Sequence, residues 1–306
     1  MSAHVAWPGG RKFAFTIIDD TDHATLARIK PIYQLLADLD ILITKTVWVF
    51  PAPEDRRWGD AETLDNAAYR DFVLELRDKG FEIALHGVRG TTSTRDVIRR
   101  GLDRYASLVG GHPRMHINHA QNADNLYWGE ARLPWWRRSL GLHRAGPPAS
   151  GGHDPASPHF WGDYCASTID YVRALSFGGI DTLRCDPYMP YHDERYPLVK
   201  AWFSCSDAGN IASFRRLLSP DNIRSLAESG GASIVYTHFG GPGFLTEKGD
   251  VDPDVRASLV ALREQPGWFR PGSEVLDALR GPSLRRLRPL QRLRLESRAR
   301  WDRMTR

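Results

Sequence analysis

Short apolar runs alternate with amphipathic stretches along most of this chain. Lys12 to Ile18 is nearly all apolar or β-branched, as suits a strand buried on both faces. Ala24 to Leu39 then carries Leu26, Ile29, Tyr33 and Leu36 at helical spacing, with Pro31 expected to shorten or kink the helix. Ile41 to Phe50 predicts a second strand, Asp65 to Lys79 a helix stopped by Gly80, and Phe81 to Leu85 a third strand. Thr94 to Leu108 predicts a helix closed by Gly110-Gly111, and Arg114 to Ile117 a fourth strand. Residues 130–165, rich in Trp, Gly, Pro and His, break the rhythm and read as a long irregular insertion. Strands are expected again at Asp181 to Arg184, Ala201 to Ser204 and Ala232 to Tyr236. Helices are expected at Asp221 to Glu228, Asp254 to Glu264 and Ser273 to Leu279. About seven strand–helix units predict an α/β fold, a distorted (β/α) barrel rather than an open sheet. The expected division is a barrel over residues 1–282 and a basic tail over 283–306.

The polar residues fall where such a barrel needs them. Asp19-Asp20-Thr21-Asp22-His23 follows the first strand at once. One Asp would cap the next helix. Three carboxylates together repel one another, and a bound cation is the usual means of offsetting that. His86, His119, Asp207 and His238 also stand at or just past predicted strand ends, the rim on which β/α barrels build their active sites. No GxGxxG or P-loop pattern occurs, which argues against nucleotide binding.

Three of these segments, in order, resemble the polysaccharide-deacetylase family of carbohydrate esterases. Thr16-Ile17-Ile18-Asp19-Asp20 stands where that family has Thr-Phe-Asp-Asp, Glu82 to Gly87 where it has a strand ending in histidine, and Ile234 to His238 where it has its last such strand. The resemblance spans about residues 12–275. It implies a distorted barrel holding one divalent metal, zinc being the expected ion. It also implies Asp19 as general base, Asp20 and His86 as metal ligands, and His238 as the acid that protonates the leaving amine. A metal-activated water, a carboxylate and an imidazolium together suit acyl transfer from nitrogen to water.

Two departures follow. The second histidine of the family's His-x-x-x-His motif is replaced by Gly90, and the Arg-x-Pro segment after the Gly-x-x-Pro lead-in is absent. His119, at the end of the next strand, is therefore expected as the third ligand. Asp22 is left to substrate contact, or to completing the metal shell in place of His119. Asn122, Tyr127 and Trp128, crowded behind His119, and Trp161, Tyr191 and His192 in later aromatic loops, are the other expected sugar contacts. Core packing explains those aromatics equally well.

Charge divides the chain unevenly. Ser283 to Arg306 holds nine Arg against Glu296 and Asp302, so of the total +4 the remainder carries about −3. A nucleic-acid role for the body is not expected. Leu290, Leu293, Ser297, Trp301 and Met304 share one helical face among arginines, a pattern suited to peripheral contact with an anionic membrane, or to a solvated tail. Cys165, Cys185 and Cys205 form no C-x-x-C pair and suit reduced thiols. Met1 to Gly10 has no basic region leading into an apolar core, so no export signal and a cytoplasmic location are expected. The reading is a metal-dependent hydrolase that removes an N-acetyl or related acyl group from a carbohydrate or a lipid- or nucleotide-linked glycan precursor. Two alternatives stay open: a non-catalytic carbohydrate-binding protein on the same fold, and a glycoside hydrolase using Asp20 and Asp207.

Overall fold

The structure, a computed structural model, describes residues 5–53, 60–127 and 150–305. Its strands are β1 (Phe13–Asp19), β2 (Thr44–Val47), β3 (Glu82–Leu85), β4 (Met115–His116), β5 (Tyr171–Phe177), β6 (Tyr191–His192), β7 (Ala201–Asp207), β8 (Ala232–Thr237), β9 (Gly267–Phe269) and β10 (Arg285–Arg286). Seven of them pair in parallel in the order β1-β2-β3-β4-β5-β7-β8, and β8 returns to β1, closing a barrel. The closure explains the unbroken apolar run of β1. Every residue in it is buried, with one face turned to the barrel interior and the other to surrounding helices. The barrel is distorted at β1. Ile18 and Asp19 pair with β2, while Phe13 to Phe15 pair with β9. The expected (β/α) barrel is the observed architecture.

The helices are α1 (Leu26–Asp38), α2 (Ala67–Asp78), α3 (Arg95–Val109), α4 (Gly162–Thr168), α5 (Thr182–Cys185), α6 (Ile211–Leu217), α7 (Pro220–Ser229), α8 (Pro253–Arg263), α9 (Gly272–Arg280) and α10 (Pro289–Met304). Thr25 caps α1, its side chain accepting from Arg28 N, and the helix continues through Pro31. Glu82, at the start of β3, accepts from Thr44 Oγ1, Ser273 N and Ser273 Oγ. These bonds tie the first turn of α9 across the barrel end where the strands begin.

Two expectations change. Asp181 to Arg184 is not a strand. Asp181 instead caps the short helix α5, accepting from Arg184 N. The strand that follows β4 is β5, Tyr171–Phe177, which Arg173 interrupts as an apolar run. Within the basic C-terminal segment, β10 extends the sheet along β6, and α10 packs on β5 and buries Leu295 and Ala299. All three cysteines are buried free thiols. Among the described residues no helix is long and apolar enough to cross a membrane.

Candidate metal and active centre

The centre is assembled at the C-terminal ends of β1, β3, β4 and β8. Asp20 and Asp22 come from the turn after β1. Asp20 N donates to Thr237 O at 2.8 Å, and Ala24 N closes the turn on Thr21 O at 2.9 Å. Gly240 lets the β8 loop press on this turn, since a Cβ there would lie 2.4 Å from the His23 carbonyl carbon. His86 follows β3, and His119 follows β4. The loop bearing His119 is held by Asn118, whose side chain accepts from Leu126 N and donates to Leu126 O, both at 3.0 Å.

Asp22, not Asp20, is the hub. Its Oδ1 lies 2.9 Å from His119 Nε2, and its Oδ2 lies 3.0 Å from His86 Nε2 and 3.7 Å from His238 Nε2. Burial would raise the Asp22 carboxyl. The His86 and His119 imidazoles outweigh burial and hold the group far below the usual carboxylate range. His86 Nδ1 lies 3.1 Å from Ile117 O, a pure acceptor, so Nδ1 carries the proton. With Nε2 unprotonated, His86 would aim a lone pair at the buried Asp22 Oδ2. Two lone pairs 3.0 Å apart repel unless a proton or a cation lies between them. Asp22, His86 and His119 each offer a ligand atom within 4.8 Å of the others. One carboxylate and two imidazoles are donors that suit a divalent first-row cation.

Asp20 is engaged differently. Arg173 of β5 grips it with both terminal nitrogens, at 3.0 and 2.6 Å, while its guanidinium lies 4.7 Å from the centre of the Tyr236 ring. Burial would raise Asp20. Arg173 outweighs it, with smaller help from His86 and His238, and the carboxyl stays below its usual range. Asp20 Oδ2 is 4.0 Å from His86 Nε2 and 3.9 Å from His238 Nε2, at the edge of the triad. His238 Nδ1 lies 2.7 Å from Gly209 O, which orients its Nε2 toward the two carboxylates. Its side chain is 25% exposed, unlike the 2% of Asp20.

Asp19 faces away from this centre. Its carboxylate accepts from Phe239 N at 2.8 Å and Tyr33 Oη at 3.0 Å and pairs with Lys45 Nζ at 3.1 Å, where both charged side chains are fully buried. Adjacent strand residues point to opposite faces, so Asp19 and Asp20 cannot both reach the centre. Asp19, expected as the base, therefore lies outside the centre, and the carboxylates that face the imidazoles are those of Asp20 and Asp22. Asp19→Asn is accordingly expected to lower stability by about 3–5 kcal/mol, because it strands the Lys45 charge in the core. Equilibrium denaturation checks this.

The departure at residue 90 has a steric cause. A Cβ on Gly90 would lie 2.8 Å from the Trp48 indole. Trp48 takes that space. Its ring lies parallel to His86, 4° apart in plane, and edge-on to His119 with centroids 5.6 Å apart, while its Nε1 donates to His86 O at 2.9 Å. A histidine at 90 has no room, and His119 at the end of the neighbouring strand lies beside His86, with ring centroids 5.0 Å apart.

The expected sugar contacts fare unevenly. Asn122 and Asn125 lie buried in the His119 loop, where Asn125 Nδ2 donates to His119 O. Trp161 is 3% exposed and packs on His116 while donating to Asp124 O, so it supports the core rather than presenting a stacking face. Tyr127 is likewise packed, stacking on His153 and tilted against Tyr196. Tyr191 and His192 lie at the wrong end. β6 runs antiparallel to β7 with Tyr191 opposite Trp202, near the start of β7, away from the rim. Trp128 lies outside the described residues. The sequence reading missed Arg173 and Trp48. Arg173 sits in the unread strand β5, and Trp48 was absorbed into a predicted apolar strand.

No protein-family model and no curated protein matches the sequence. Solved structures do. A protein from Mycobacterium smegmatis described as a polysaccharide deacetylase aligns with a TM-score of 0.52 at 14% identity, over 92% of this chain and 95% of its own. The allantoinase PuuE gives 0.51 at 12% identity, over 91% and 94%. A protein from Pseudomonas aeruginosa described in the same terms as the first gives 0.50 at 13%, over 90% and 93%. The chain therefore has the polysaccharide-deacetylase fold, as the three motifs implied. Identities this low carry the fold and not the reaction.

Proposed function

We propose that the chain is a metal-dependent hydrolase that removes an acyl group, N-acetyl in the first instance, from a carbohydrate or glycan precursor. The observation that carries this reading is the convergence of the His86, His119 and His238 Nε2 atoms on one buried carboxylate, Asp22. Asp22, His86 and His119 would hold the cation, with zinc favoured by the nitrogen and oxygen donors. When bound, it would supply Lewis-acid polarisation of an acyl carbonyl and a more acidic water.

The remaining residues have separate tasks. Asp20, kept ionised by Arg173, retains lone pairs beyond those that Arg173 occupies and would take a proton from the attacking water. Arg173 fixes the direction of that carboxylate. His238, anchored through Nδ1 and reachable from solvent, would hold a proton on Nε2 and give it to the leaving nitrogen. A base and an acid on two sides of one centre favour catalysis over the carbohydrate-binding alternative. The two-carboxylate alternative does not account for the imidazoles.

The test is acetate release from N-acetylated amino-sugar oligomers by chelated protein, with and without added zinc. Release that requires the metal supports the reading, and release unaffected by chelation overturns it. Trp48→Ala should weaken zinc binding by about 10–100-fold, as loss of a group that orients metal ligands does. Calorimetric titration of the folded variant measures that change.

A further inference from the structure

We propose that the outer face of α10, with the cleft at its start, docks on an anionic lipid surface. Five large apolar side chains are exposed among the described residues, and four of them lie on this one helix: Leu290 at 71%, Leu293 at 60%, Trp301 at 70% and Met304 at 81%. A packed helix of a soluble domain normally turns such residues inward. Here the inward face is already complete. Leu295 and Ala299 are buried, and the outward residues belong to the opposite side.

The charges sort the same way. Both acids of the helix turn toward the body, Glu296 to Arg195 at 2.9 Å and Asp302 to Gly178 N at 2.8 Å. Arg294, Arg300 and Arg303 remain exposed beside the apolar residues. At the start of the helix, Arg285, Arg288 and Arg286, the last paired with Glu194 at 2.9 Å, line a cleft of about 380 Å³ with Tyr188 and Tyr191. Apolar side chains framed by arginines, with Trp at one end, match the boundary between lipid headgroups and acyl chains. A second copy of the chain is a poor occupant, because two such faces would oppose arginine with arginine. Nucleic acid would meet the arginines but leave the apolar residues in water. The Asp302 bond to Gly178, just past the end of β5, brings the last turn of α10 level with the catalytic rim.

The experiment is flotation of the full chain with vesicles of phosphatidylcholine alone and of phosphatidylcholine mixed with phosphatidylglycerol, at low and high salt. Binding is expected to the mixed vesicles only and to weaken with salt. Arg294→Gln and Arg300→Gln should each cost about fivefold in partitioning, and the Leu293→Ser/Trp301→Ser pair more than about tenfold. All four positions are exposed, so thermal unfolding of the variants should match the parent. Equal partitioning to both vesicle types, or none, overturns the proposal. So does a Leu293→Ser/Trp301→Ser variant that binds like the parent, as it would if arginines alone held a polyanion. So does a dimer in solution that this variant dissolves. None of these outcomes bears on metal binding, so the docking face and the hydrolase reading fail separately.

Discussion

Asp22→Ala is expected to abolish metal binding and, with it, turnover. The substitution removes the one carboxylate on which the His86, His119 and His238 Nε2 atoms converge. Two neutral imidazoles remain as ligands, and the anionic donor that balances the cation is gone. Loss of Lewis-acid assistance is worth several kcal/mol of transition-state stabilisation, so the rate should fall by at least about a thousandfold. The variant should stay folded, because the turn is held by backbone bonds at Asp20 and Ala24. Asp20→Asn provides the contrast. It should keep the metal and lose the base. Metal analysis of both purified variants separates the two roles, and equal metal loss in both would return Asp20 to the ligand set.

His238→Ala is expected to lower turnover by about two to four orders of magnitude, the usual cost of losing a general acid, while metal content stays at the wild-type level. His238 lies 3.7 Å from Asp22 Oδ2, farther than His86 or His119, and is the more exposed of the three imidazoles. An activated ester substrate, whose leaving group needs little protonation, should restore much of the lost rate. Steady-state rates on amide and ester substrates, with metal content measured in parallel, check this. A metal-free His238→Ala protein would assign the residue to the metal instead.

The barrel was legible because its strands announce themselves. Lys12 to Ile18 and Ala232 to Tyr236 are mostly apolar, and each runs into polar residues at its C-terminal end. β5 was hidden because Arg173 sits in the middle of it and reads as a break, although that arginine grips Asp20 inside the centre. The four residues of α5 were too few to show a period, so a capped turn passed for a strand. Assignment within the Asp cluster depended on which way each side chain points. Asp19 and Asp20 are neighbours on one strand end, and only the pairing of Asp19 with the buried Lys45 shows which of them enters the core. His119 could be named from its place at a strand end. Its reason for being needed, the Trp48 indole filling the space beside Gly90, depends on a contact between residues 42 positions apart.

The most direct test is titration of zinc into chelated, full-length protein, with His119→Ala alongside. The account predicts one ion taken up per wild-type chain and loss of that uptake in the variant, because Asp22 and His86 alone leave the cation one ligand short. A wild-type chain that takes up no ion, or a His119→Ala chain that takes it up as tightly as the parent, would contradict the account.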